Sequence, residues 1–185
     1  MQHLSVRLVC LLAGVLLVGG CASEPASTHA RLHGEDRLSR DGVLHYRLPV
    51  GWFDVTADSQ ATGRAIWLVR NDYGASITVE QVYLMGRAEE ELGEEPLLHL
   101  AQLTLPLVAG PRAATVKRAP ELFRLGSRQY CGYALVTAER AEQMQVVLFD
   151  VGSRVYAVTF FGDGSPAATA GISAVQEPFL RALRW

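Results

Sequence analysis

Three kinds of side chain in this sequence could do chemistry: its cysteines, its histidines and one serine in a glycine-rich turn. Cys21 follows Val18-Gly19-Gly20 at the end of the apolar run Leu8–Val18. Cys131 lies in the strand-like run Arg128–Thr137 and reads as a small buried hydrophobe, because nothing near it in sequence would activate a thiolate. His29 and His33 stand four apart, a spacing that chelates a metal on a helix, but the polar stretch around them has neither helical periodicity nor a third ligand. His45 and His99 have no identifiable carboxylate or serine partner. Gly162-Asp163-Gly164-Ser165 only superficially resembles a nucleophile turn, since Ser165-Pro166 makes a good N-cap and first helical residue. The sequence has no G-x-S-x-G elbow, H-E-x-x-H helix, P-loop or dinucleotide fingerprint. The expectation is a protein without catalytic residues, cofactor or metal.

The start of the chain is more specific. Met1–Arg7 carries one arginine, and Leu8–Val18 has 11 apolar or small residues, within the roughly 7–15 of a signal h-region. A membrane span needs about 20 such residues. Val18-Gly19-Gly20-Cys21 resembles the lipobox of bacterial lipoproteins. That resemblance implies cleavage between Gly20 and Cys21, thioether lipidation of Cys21 and acylation of its new amino group. Two or more acyl chains hold a protein stably on a membrane, where one does not. Ala22 rather than Asp after the cysteine implies an outer-membrane address, with the domain facing the periplasm. Residues 1–20 are thus expected to be a signal peptide. Cys10 leaves with it and Cys21 is lipidated, so Cys131 would have no disulfide partner within the chain.

Losing residues 1–20 removes Arg7 and no acid, moving the formal charge from −2 to −3 over 165 residues. That length suits one domain with a real core. Dispersed mild acidity gives no reason to expect nucleic acid or a basic membrane-binding face. Ala22–Arg40 is polar and poor in large apolar residues, so residues 21–41 read as a lipidated cysteine and flexible tether, with the domain at 42–185.

Within the domain, Val43–Leu48 alternates Leu44, Tyr46 and Leu48 with His45 and Arg47, and Pro49 and Gly51 end it. Ala65–Arg70 and Ala75–Val82 flank the turn Asn71–Gly74 as a hairpin. Five glutamates in Ala88–Glu95 read as a solvated helix start rather than a calcium loop. Pro96 should open a helix burying Leu97, Leu100, Ala101 and Thr104, stopped by Pro106 and Gly110-Pro111. A less regular stretch holds Leu122, Phe123 and Leu125. Strands are expected at Gln129–Thr137, Met144–Val151 and Arg154–Phe161, the last two joined by Gly152-Ser153 and the last covered on both faces. A final helix carries Ile172, Val175, Phe179 and Leu183, with Pro178 expected to kink or divide it. The resulting fold class is α/β (α+β): a mainly antiparallel β-sheet sandwiched between helices.

Tyr46-Arg47-Leu48-Pro49-Val50-Gly51-Trp52 resembles the Y-x-L-P-x-G-W motif of PsbP-like and DcrB-like domains. The strands of Tyr130–Phe161 with Gly152 and Tyr156, and a closing helix with Phe179 and Leu183, extend the resemblance over about Gly42–Trp185. It implies a PsbP/DcrB-like domain of non-catalytic, partner-binding character, but supplies no binding motif to carry over. The expected function is a lipid-anchored envelope lipoprotein serving as a binding or accessory module for another envelope protein. The alternative is small-ligand or lipid binding. Trp52 and Trp67 are the candidate binding residues, with core or rim anchoring as the simpler role for either.

Overall fold

The computed structural model describes residues 29–83, 95–110, 114–137 and 141–185. The leader, Gly20, Cys21 and most of the glutamate run therefore lie outside the described residues. Seven antiparallel strands form the main sheet, in the order β3-β4-β5-β9-β8-β7-β6. They are β3 (Trp52–Asp54), β4 (Arg64–Arg70), β5 (Ala75–Val82), β6 (Ala114–Leu125), β7 (Arg128–Thr137), β8 (Gln143–Val151) and β9 (Arg154–Gly162). A separate two-stranded sheet pairs β1 (Leu32–Leu38) with β2 (His45–Pro49). Two helices complete the fold, α1 (Pro96–Ala109) and α2 (Pro166–Ala182).

The central strands show why both faces need cover. Along β8, Val147 and Phe149 join the core under α2, whereas Met144, Val146 and Leu148 join the core under α1. With both sides apolar, the alternation of a half-exposed strand is lost, as it is along β9 at the centre of the sheet. On the first face α2 presents Ile172, Val175, Phe179 and Leu180, and β2 adds Leu44, Tyr46 and Leu48 beside it. Phe160 of β9 meets Phe179 edge-on at 6.2 Å between ring centroids, joining sheet to helix. On the second face α1 packs mainly on β6, β7 and β8, with Leu97, Leu100 and Ala101 against Tyr133 and Leu135.

The expected hairpins are present, with Trp67 opposite Thr78 across β4–β5 and Gly152 at φ +61° between β8 and β9. The expected tether at 21–41 is too long. Residues 32–38 form β1, whose place comes from backbone pairing and charge rather than apolar burial: Arg47 bonds Asp36 at 2.9 Å and Arg37 bonds Asp54 at 2.9 Å. The less regular stretch is β6, a sheet-edge strand; register shifts around Arg118, with Pro120 inside it, mask its period, and an edge tolerates both. Pro106 does not stop α1, which continues to Ala109, nor does Pro178 divide α2. A proline removes one N–H but leaves its own carbonyl available, and Pro106 O accepts from the Gly110 N–H.

Replacing Phe179 by Ala should cost about 3–5 kcal/mol of folding stability, because it empties the contact between α2 and β9. Leu107→Ala, on the solvent side of α1, should change it by less than about 0.5 kcal/mol. Urea unfolding of both variants tests this ordering; equal losses would contradict the two-faced core.

Candidate functional site

The end of the second sheet face beyond α1 carries a concavity of about 590 Å³ among the described residues. Its floor and walls come from alternate positions on neighbouring strands. Phe53 is opposite Val69, Val69 is opposite Ser76, and Ser76 is opposite Phe161, so β3, β4, β5 and β9 turn these side chains the same way. Trp67 stands two residues from Val69 on β4 and completes the wall. Arg64 lies over the Trp67 ring at 4.4 Å and bonds Glu80 at 3.2 Å, which holds the indole in place. Phe53 and Tyr73 form the rim, their ring centroids 6.4 Å apart. The cleft opens to solvent, and Asp58 is its single charged lining residue.

The two candidate tryptophans part company. Trp67 lines the cleft, while Trp52, 6% exposed, belongs to the core on the other face. Trp185 packs against Phe149, with Arg128 3.9 Å above its ring. Cys21 and Gly20 lie outside the described residues. No sequence pattern marks Phe53 or Tyr73 as site residues: Phe53 sits in a three-residue strand and Tyr73 in a turn.

The other chemistry-bearing residues are accounted for locally. Ser165 Oγ accepts from the Ala168 N–H at 3.1 Å as the N-cap of α2, and Asp163 accepts from the Ser165 N–H at 2.9 Å. Cys131 is buried, and burial pushes its thiol up, away from the reactive thiolate. His45 is exposed and exchanges backbone bonds with Arg184; His99 is half-buried on α1. Among the described residues no cluster of His, Cys, Asp or Glu could hold a metal ion. No helix among them is long and apolar enough to cross a membrane. A second cavity of about 360 Å³, between α2 and the β6–β7 edge, is mixed in charge, with Arg118, Glu121 and Glu177.

Two buried tyrosines tie the small sheet to the large one. The Tyr46 hydroxyl donates to Asp54 Oδ2 at 2.5 Å, and Arg37 donates to the same oxygen. The Tyr156 hydroxyl donates to Asp41 Oδ2 at 2.7 Å. Burial pushes the Asp54 carboxyl up, but the bonds from Tyr46, Thr56 and Arg37 outweigh it and hold it below the usual range. Asp41 behaves likewise, with Ser39 and Tyr156 overcoming burial. Burial, then the bond to Asp54, pushes the Tyr46 phenol up. These groups hold the layers together and line neither of the two cavities above.

No family model and no curated protein matches the sequence. Solved structures do match. The solution structure of cyanobacterial PsbP (CyanoP) from Synechocystis sp. has a TM-score of 0.55 at 11% identity, covering 90% of this chain and 98% of that one. The Saccharomyces cerevisiae Ran-binding protein Mog1p has a TM-score of 0.57 at 9% identity, covering 83% of this chain and 96% of that one. The chain has a PsbP-like fold. An antiparallel sheet with two helices is common to all three, and at these identities the likeness concerns the fold alone.

The lowered carboxyls fix an acid dependence. A carboxyl whose folded pKa is depressed contributes stability that is complete above its unfolded value near ~4 and is lost as pH falls through the folded value. Asp54→Asn should therefore lower stability at pH 7 by about 1–3 kcal/mol through its weakened bonds. It should also flatten the decline of melting temperature between about pH 5 and pH 3. Thermal melts of the wild type and this variant across that range test the assignment, and parallel curves would overturn it.

Proposed function

We propose that this chain is a lipid-anchored envelope lipoprotein whose domain is a non-catalytic binding module for another envelope protein. The observation that carries the binding half is the open apolar cleft walled by Trp67, Val69 and Phe161 and rimmed by Phe53 and Tyr73. Exposed aromatics grouped in a concavity are the usual material of a protein-binding hot spot. Mog1p, which has this fold, is by its name a Ran-binding protein, so the scaffold accommodates protein recognition. The anchoring half is supported by the leader Leu8–Val18 and the sequence Val18-Gly19-Gly20-Cys21. On this reading Cys21 is lipidated after cleavage at Gly20, and the domain lies on the periplasmic side of the outer membrane.

The cleft volume also suits a small ligand or lipid, for which pockets of roughly 300–1,000 Å³ are usual. Against that reading, its lining is mostly apolar and aromatic with Asp58 as its one charged residue, whereas a small-molecule site brings several polar groups to converge on its ligand.

In-cell crosslinking of the native protein, followed by mass spectrometry, should recover a defined envelope protein and a diacylated or triacylated N-terminal cysteine. Cys21→Ser should abolish the lipid and reduce the crosslink by lowering local concentration at the membrane. A mature protein beginning at another residue would overturn the anchor, and absence of any protein crosslink would overturn the binding module.

A further inference from the structure

The rim of the cleft carries a large ring on an uncommon backbone conformation. Tyr73 is 78% exposed, yet its backbone lies at φ +61°, in the left-handed region that side chains with a Cβ rarely occupy. Tyr73 closes a tight turn in which its N–H bonds Arg70 O at 2.8 Å, and the positive φ falls on the tyrosine and not on Gly74 beside it. The turn thus bears the cost of a large ring that buries almost nothing of itself. Non-glycine residues held this way concentrate at ligand-binding and switch sites. Phe53 across the rim is 45% exposed, and the two rings face the same opening.

Charge adds direction. Asp58 is the single charged residue lining the cleft; its Oδ1 accepts from the Gln60 N–H at 2.8 Å, capping the 3-10 turn Ser59–Ala61. Its other oxygen has no hydrogen-bond partner among the described residues, and no cation among them pairs with it. A carboxylate beside an apolar, aromatic hollow favours an occupant that joins a bulky apolar group to a positive charge, and disfavours an acidic one.

We propose that the cleft is the docking site for a polypeptide segment of the partner that places a bulky apolar side chain among Phe53, Trp67 and Tyr73 and sets a neighbouring Lys or Arg against Asp58. This rests on the protein-binding reading above and names the surface and the chemistry it selects. Tyr73 closes over the inserted side chain, Trp67 forms the back wall under Arg64, and Asp58 selects the basic neighbour. An acyl chain would gain from the aromatics but nothing from the carboxylate.

The test uses the full chain held in nanodiscs and a displayed library of random dodecamer peptides, with the Tyr73→Asn variant as counter-selection. Asn tolerates positive φ and Asp58→Asn keeps the cap acceptor, so neither variant should lower the melting temperature. Peptides enriched on the wild type should pair an aromatic residue or leucine with an adjacent Lys or Arg. Synthesised and measured by fluorescence anisotropy, they should lose at least tenfold in affinity on either variant, and at least fivefold when the basic residue becomes Glu. The proposal is overturned if no peptide is enriched over the counter-selection, if enriched peptides are acidic, or if Asp58→Asn binds as the wild type does. Displacement of the peptides by decanoate with undiminished affinity for Asp58→Asn would assign the cleft to an acyl ligand instead. A partner crosslinked in cells but indifferent to both variants would leave the binding module standing and remove this surface from it.

Discussion

A seven-stranded sheet whose middle strands are apolar on both sides must be covered twice, and here the cover is unequal. One face is covered by α2 with the β1–β2 sheet. Among the described residues, the other receives α1 mainly over β6, β7 and β8. The uncovered end is where β4 and β9 still turn Trp67, Val69 and Phe161 outward, so the cleft follows from the sheet being wider than the helix that packs on it. Its walls are rigid because each belongs to a strand whose other side is locked into the core, as Ile66, Leu68 and Phe160 show. Recognition surfaces built on such strands keep their shape without a ligand, which lowers the entropy cost of binding.

Much of this architecture could be read from residue periodicity. Leu44, Tyr46 and Leu48 alternate cleanly because β2 is buried on one side, and α2 announces itself through Ser165-Pro166 and its apolar stripe. Where neighbours rather than local pattern decide, the reading failed. β1 has scarcely any apolar signal, since ion pairs and backbone bonds hold it, and β6 loses its period at two irregularities. An isolated helix would stop at Pro106 and kink or divide at Pro178, whereas both prolines lie inside continuous helices packed on the sheet.

The site was less legible than the fold, for a specific reason. Trp67 could be picked out by residue type, but so could Trp52, and only the pleat decides which points to the cleft and which to the core. Phe53 and Tyr73 come from a very short strand and a turn, and meet only through the pairing of β3 with β4. Tyr73 takes a left-handed backbone in the β4–β5 turn, and only the folded hairpin brings its ring beside Phe53. No local pattern in a sequence carries that information.

The two ends of the described chain are fastened at one place. His45 and Arg184 exchange backbone bonds of 2.7 and 2.9 Å, Arg184 also pairs with Asp36 of β1, and the Ala30 N–H reaches Ala174 O on α2. All of these contacts lie on the α2 side, opposite the cleft. A pull applied at residue 29 would thus be carried first by this clasp and by β1, not by the strands that shape the open face. Mechanical strain arriving through the N-terminus would have to part this clasp before the Arg37–Asp54 bond passed it to β3 and the cleft rim at Phe53.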